Sequence, residues 1–311
     1  MPSRPLIRIR PTVDLVFKAV MVEPAGFVTL LDFLNAVVEP KSRFVKVDVI
    51  NADIPITVMG ERGAVVDVRG TDAAGRRFHI EMQSWNHAGM RQRMLFGWAA
   101  GYRAQLREGG GHSDLLPVIS IWVVDDLVVS GSAMFHHRFR AVDIADGTVL
   151  SDDLEIHLLE LPKWLDHPDR HPLDDWAEFL TQAEDWSELP PHLRREPLEQ
   201  AMSVIQRIQN DSQASAAYEA REEWLRVERS QAKATAYERA EKEKALAEKE
   251  KALAEAARER AEKERERAEK EQALAEGERE RAEKETALAA NEAALLEIQR
   301  LQALLRGQSG G

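Results

Sequence analysis

VVDVRGTDAAGRRFHIEMQS, Val65 to Ser84, decides the fold. Two short runs rich in β-branched and aromatic residues flank a polar centre, the pattern of a β-hairpin. Asp72-Ala73-Ala74-Gly75 fits a type I turn, with Gly75 in the left-handed conformation that a three-residue hairpin loop with a bulge requires. That turn pairs Asp72 with Arg76, and outward from it Gly70 meets Phe78, Arg69 meets His79, Val68 meets Ile80, Asp67 meets Glu81, Val66 meets Met82 and Val65 meets Gln83. One face is then apolar (Val66, Val68, Phe78, Ile80, Met82) and packs against helices. The other face sets Asp67 opposite Glu81, with side-chain bases about 4.5 to 5.5 Å apart, where like charges repel. A divalent cation is the natural offset, since Mg²⁺ takes one or two carboxylates together with waters and a substrate phosphate. On spacing alone two other readings stay open. A two-residue loop would set Asp67 opposite Ile80 and part the acids, and a solvated strand face carries carboxylates by chance about as readily.

Helical periodicity precedes this hairpin. TVDLVFKAVM opens with Thr12 as an N-cap, and GFVTLLDFLNAVV repeats Phe27, Leu30, Leu31, Leu34 and Val38 at helical spacing. RFVKVDVINADIPI reads as extended. After the hairpin, GMRQRMLFGWAAGYRAQLR is helical through Met94, Leu95, Trp98, Tyr102 and Leu106 until Gly109 to Gly111 stop it, and LLPVISIWVV (Leu115 to Val124) reads as a buried strand. That run is about half of the roughly 20 residues a membrane-spanning helix needs, so no membrane partner is expected. LEIHLLELPKW reads as extended, and a proline-interrupted helical region follows, with Trp164, Trp176, Trp186 and Leu180 as core.

The formal net charge of −12 excludes a generally basic surface and confines any nucleic-acid contact to a local patch. With no cysteine, disulfides, thiolate metal sites and a cysteine nucleophile are excluded, which suits a cytoplasmic location. The N-terminus lacks a long apolar segment and a small-residue cleavage site. His136 and His137 adjoin each other and DHPDRHP (Asp166 to Pro172) lacks ligand spacing, so neither reads as a zinc site; GGG lacks the Lys-Ser/Thr of a phosphate loop.

From Ala240 to Leu295 the chain repeats every seven residues, yet Arg260, Arg267 and Arg281 interrupt the series Leu246, Leu253, Leu274, Leu288, Leu295. A coiled coil needs two apolar positions per heptad, so this is a charged helix or a weak coiled coil. Pairs such as Glu262 with Arg265 and Glu264 with Arg267 support it by about 0.2 to 0.5 kcal/mol each. The last part carries a stronger stripe, Leu295, Ile298, Leu301 and Leu305, through which a homo-oligomer or a protein partner is expected.

Asp67, Glu81 and Gln83 in a hairpin, after a helix bearing Asp14 in DLVFK and before a helix and a buried strand, resemble the PD-(D/E)XK nuclease superfamily. More closely, TVDLVFKAV, LLDFLNAVV, VVDVRGTDAAGRRFHIEMQ, MRQRMLFGWAAGYRAQLREG, LLPVISIWVVDD and LEIHLLELPKW resemble, in order, the Rpn family of recombination-promoting nucleases and transposase-like proteins. The resemblance implies an α/β restriction-endonuclease-like core, a mixed sheet flanked by helices, with a C-terminal helical region and a long charged helix. The expected division is a nuclease-like domain at 1–165, a helical subdomain at 166–229 and the heptad-repeat helix at 230–311. It also implies a metal-dependent DNA endonuclease hydrolysing backbone phosphodiesters, linked to recombination or transposase-like activity. Asp67 and Glu81 would ligate Mg²⁺ or another divalent cation, with Asp14 as a further catalytic acid. Gln83 would stand where much of the superfamily has Lys, leaving a neutral amide where a charge would help orient water and offset transition-state charge. Lys18, Arg91, Arg93 and Tyr102 are the candidate phosphate contacts, with an ordinary surface lysine an equal reading for Lys18 and a core aromatic with its hydroxyl satisfied an equal reading for Tyr102. The competing expectation is a weak or inactive nuclease-fold scaffold that recruits a protein through its C-terminal helix.

Overall fold

The computed structural model describes residues 8–39, 41, 43–50, 67–106, 110–165 and 170–308. The extended reading of 51–56, the pairing of Val65 and Val66, and Gly109 and Pro168 lie outside these residues, as does the side chain of Leu305. The chain divides into two compact units, Met1–Ala236 and Tyr237–Gly311, where the expectation placed its last boundary at 229/230.

The first helix, α1 (Asp14–Val22), is buried along its whole length after Asp14. Thr12 does not cap it: Val13 holds the cap position, and Asp14 accepts a hydrogen bond from the following amide of Leu15 at 2.8 Å. Pro24 and the positive-φ Gly26 end the turn that follows, and α2 (Val28–Val38) leaves α1 at 89°. Phe17, Phe33 and Trp176 then meet edge to face, with centroids 5.8 and 5.6 Å apart. No single helix among the described residues is long and apolar enough to cross a membrane.

Among the described residues six strands, β1 (Val47–Ile50), β2 (Val68–Asp72), β3 (Arg77–Gln83), β4 (Val118–Val124), β5 (His136–Phe139) and β6 (Leu154–Glu160), form one mixed sheet in the order β1-β2-β3-β4-β6-β5. β1, β2 and β3 run antiparallel in turn, β3, β4 and β6 run parallel, and β5 closes the edge antiparallel to β6. The hairpin adopts the three-residue loop: Asp72 N–H donates to Arg76 O at 3.0 Å, Gly75 takes φ 79°, and Val68, Arg69 and Gly70 pair with Ile80, His79 and Phe78. The Asp72 carboxylate accepts from the Ala74 and Arg76 amides and locks the turn. This removes the two-residue alternative. The β4 run VISIWVV is buried on both faces, as the centre of a parallel segment requires. β5 carries no alternation that would announce a strand.

Helices cover both faces. On one side Val68, Phe78, Ile80 and Met82 join α1, α2, α4 (Pro172–Gln182) and α5 (Glu196–Asn210) in a single core, so the helices after Pro172 share the interior of the sheet. Full burial of each such side chain is worth about 1.5 to 3 kcal/mol. On the other side α3 (Met90–Arg103) packs through Met90 and Met94 on Trp122, Ile156 and Leu158. Gly97 and Gly101 let it lie close: a Cβ at Gly97 would sit 3.4 Å from the Trp122 ring and one at Gly101 would sit 3.3 Å from Val118. Asp211 caps α6 (Ser212–Gln308) by accepting from the Gln213 and Ala214 amides.

In the second unit the helix is solvated along its described side chains, with Leu246, Leu253, Leu274 and Leu288 all exposed. Its ion pairs include Lys263 with Glu259 and Arg265 with Glu269, four residues apart, and Arg300 with Glu297, three apart.

Candidate active site

The polar face of the hairpin forms the floor of a cavity of about 400 Å³. Asp67 stands one residue before β2, and Glu81 lies on β3. Strand alternation puts Asp67, Arg69, His79 and Glu81 on that one face. One carboxylate oxygen each of Asp67 and Glu81 and a ring nitrogen of His79 all lie within 4.8 Å of one another, a spacing a single cation can span.

The protein itself offsets the clash of the two acids. The ring Nε2 of His79 lies 3.0 Å from Asp67 Oδ2 and 3.4 Å from Glu81 Oε1, so a proton there bridges both carboxylates. Arg69 pairs with Asp67, and Arg93 of α3 reaches Glu81 Oε2 at 2.9 Å. Burial alone would push Asp67 up, but the His79 hydrogen bond and the charge of Arg69 hold its carboxyl below the ordinary range. Burial pulls His79 down, and the two acids together outweigh it and raise it. The other ring nitrogen, Nδ1, is buried with no hydrogen-bond partner among the described residues. Its ring packs edge-on against Trp122 at 5.9 Å, below Gly97.

Gln83 is tied into the same network. Its Nε2 donates to Glu81 Oε2 at 2.7 Å, and its Oε1 accepts from His87 Nε2 at 3.1 Å, which fixes the orientation of the amide and the tautomer of His87. Burial, with the nearby charge of Arg93, lowers the pKa of His87 despite Glu81. Asp14 lines the cavity wall and is held by Arg221 of α6: Arg221 Nε donates to Oδ1 at 3.0 Å and Nη2 to Oδ2 at 2.5 Å, with both side chains largely buried. The guanidinium of Arg221 stacks on Trp224 at 4.4 Å, and Trp224 forms another part of the wall.

Asp14, Asp67, Glu81, Gln83 and Arg93 therefore share one cavity. The other expected phosphate contacts do not join them. Lys18 is only 1% exposed, beneath the site rather than at its surface; burial lowers its pKa, and the negative charge of Asp67 acts against that. Arg91 donates to the Val128 carbonyl at 3.0 Å and lines a separate apolar groove. Tyr102 stacks on Trp98 and donates to Asp153 at 2.8 Å, a bond that, with burial, raises its pKa.

Sequence reasoning missed Arg69, His79, His87 and Arg221 as partners of the acids and of Gln83. Arg69 and His79 had a signal, the same alternation that placed Asp67 and Glu81. His87 follows Gln83 by four residues in a turn and had none, and Arg221 lies 207 residues from Asp14.

A family model described as PD-(D/E)XK nuclease family transposase matches residues 11–236. No curated protein and no solved structure matches the chain.

Proposed function

From the premise that the chain belongs to the PD-(D/E)XK nuclease family transposases, we propose that it is a divalent-metal-dependent DNA endonuclease acting in recombination or transposase-like DNA processing. The observation that carries this reading is the grouping of Asp67, His79 and Glu81 within 4.8 Å at the floor of a charged cavity. The two hard carboxylate oxygens suit Mg²⁺ or Mn²⁺, so the paired acids fit a divalent cation of the kind the family uses.

Asp67 and Glu81 would hold the cation, and His79 Nε2, once its bridging proton has passed to solvent, would stand beside them as a further donor. The cation supplies Lewis-acid charge to the phosphate and lowers the pKa of attacking water. Gln83 contributes orientation: with its carbonyl committed to His87, its amide group faces Glu81 and fixes that carboxylate. Lys18 lies buried beneath the site within reach of the charge of Asp67. Asp14, neutralised by Arg221, shapes the wall and keeps α1 and α6 in register around the cavity.

The test is nicking of supercoiled plasmid with Mg²⁺ or Mn²⁺ by the full chain and by Asp67→Ala and Glu81→Gln, each checked for folding. Both variants are expected to lose at least about 100-fold of the rate, as removal of a group stabilising the transition state does. Cleavage by Asp67→Ala at the parent's rate removes this site from the reaction. A second reading, a nuclease-fold scaffold that recruits a protein through the exposed apolar stripe of Leu295, Ile298 and Leu301, is favoured by the neutral Gln83 and by the arginine pairing of all three acids. It requires that no divalent cation binds and that chain ends lacking residues 290–311 lose the partner.

A further inference from the structure

Arg69 and Arg93 are the outermost groups of the acid cluster. Their side chains are 56% and 47% exposed, whereas those of Asp67 and Glu81 are 8% and 14% exposed. Each arginine therefore pairs with a carboxylate at the cavity while about half of its own side chain stays exposed. Both come from rigid elements: Arg69 sits in the β2 ladder opposite His79, and Arg93 lies over the Trp122 ring at 5.7 Å on a helix seated by Gly97. Without a cation they are the counter-charges that make two adjacent buried acids tolerable. With one present, the positive charge they supply to the acids becomes redundant. Guanidinium groups match phosphate oxygens in the same bidentate way they match carboxylates.

We propose that Arg69 and Arg93 form a phosphodiester clamp that opens on metal loading, releasing from Asp67 and Glu81 to grip the backbone phosphate at the cavity mouth. The clamp rests on the metal-site reading above and adds a coupling to it. Cation and DNA each favour the state in which the arginines have left the acids, so each tightens the binding of the other by the same factor. The two arginines also have opposite effects on the two ligands. Toward a cation alone they compete for the carboxylates, and toward DNA they are its grip. Neither Gln83 nor Lys18 can take this part, since one is neutral and held between Glu81 and His87 and the other is buried.

The experiment uses the full chain and three variants, Arg69→Gln, Arg93→Gln and Asp67→Asn. Calorimetry with Mn²⁺ in the absence of DNA reads the metal, and fluorescence anisotropy of a short labelled duplex, with and without Ca²⁺, reads the DNA. The parent is expected to bind duplex about 10-fold tighter with Ca²⁺ than without it, within the usual span of coupling between sites. Arg69→Gln and Arg93→Gln are expected to bind Mn²⁺ as tightly as the parent or several-fold tighter, while the Ca²⁺ gain on DNA shrinks toward unity. Asp67→Asn is expected to lose Mn²⁺ binding. If the parent and Asp67→Asn both fail to bind Mn²⁺, the metal-site reading falls and the clamp with it. If the parent binds Mn²⁺ through Asp67 but both arginine variants keep its Ca²⁺ gain, or bind Mn²⁺ more weakly than it does, the clamp alone is overturned.

Discussion

Acidification singles out a network on the far edge of the sheet. His136 on β5 lies 2.8 Å through Nε2 from Nδ1 of His157 on β6, whose own Nε2 lies 2.8 Å from Glu155 Oε1. Burial, then the charges of His157, Arg138, His137 and His171, push His136 down from 6.5 to about 4. A folded-state pKa below the unfolded one means that the unfolded chain binds more protons between those two values. The contribution to stability is therefore whole above about pH 6.5 and is lost as pH falls through about 4. At about 1.36 kcal/mol per pKa unit the full effect is about 3 kcal/mol, of which about 2 kcal/mol has gone by about pH 5. The assay is urea unfolding followed by tryptophan fluorescence, and all 7 tryptophans precede Tyr237, so the signal reads the first unit alone. Carboxylates titrate over the same range, so the quantity to compare is the difference between the parent and His136→Gln, which keeps a polar group against His157. The parent is expected to lose about 2 kcal/mol more than the variant between about pH 7 and about pH 5. Parallel stability curves for the two proteins would refute the assignment.

Two further substitutions probe the frame around the site. Gly70→Ala would put a Cβ 2.4 Å from the Phe78 ring and 2.5 Å from the Asp48 carbonyl oxygen, and the backbone oxygen cannot step aside. A loss of about 1 to 3 kcal/mol in urea unfolding is expected, as for overpacking elsewhere. Arg221→Met leaves Asp14 without its bidentate partner in a largely buried setting, so a loss of about 3 to 5 kcal/mol is expected. Combining it with Asp14→Asn should recover part of that loss, and a double variant no more stable than Arg221→Met would show that the pair is not coupled.

What the sequence made legible follows the range over which its signals act. The hairpin register came from one glycine and one turn aspartate, both local, and the structure keeps both. Apart from β5, which no pattern announced, the described helices and strands up to β6 came in order from periodicity, which is also local. Lys18 shows a local signal read in the wrong direction: DLVFKAVMV is apolar on every side of the helix, so a lysine within it is interior, not surface. Arg221 could not have been read, because neither it nor Asp14 carries any mark of the other. The offset of the like charges was only half legible. A cation was inferred, whereas the fold already supplies His79, Arg69 and Arg93 to the same acids.

The pairing of Asp14 with Arg221 imposes an order on the life of the chain. Asp14 leaves the ribosome 207 residues ahead of Arg221, which follows only after the six described strands have been synthesised. Until the first turns of α6 emerge, the cavity has its acid floor but lacks the wall that Arg221 and Trp224 provide, and Asp14 must stay hydrated. Completion of the pocket is thereby tied to completion of the first unit, and a chain interrupted before Arg221 carries every strand of the sheet without a closed site.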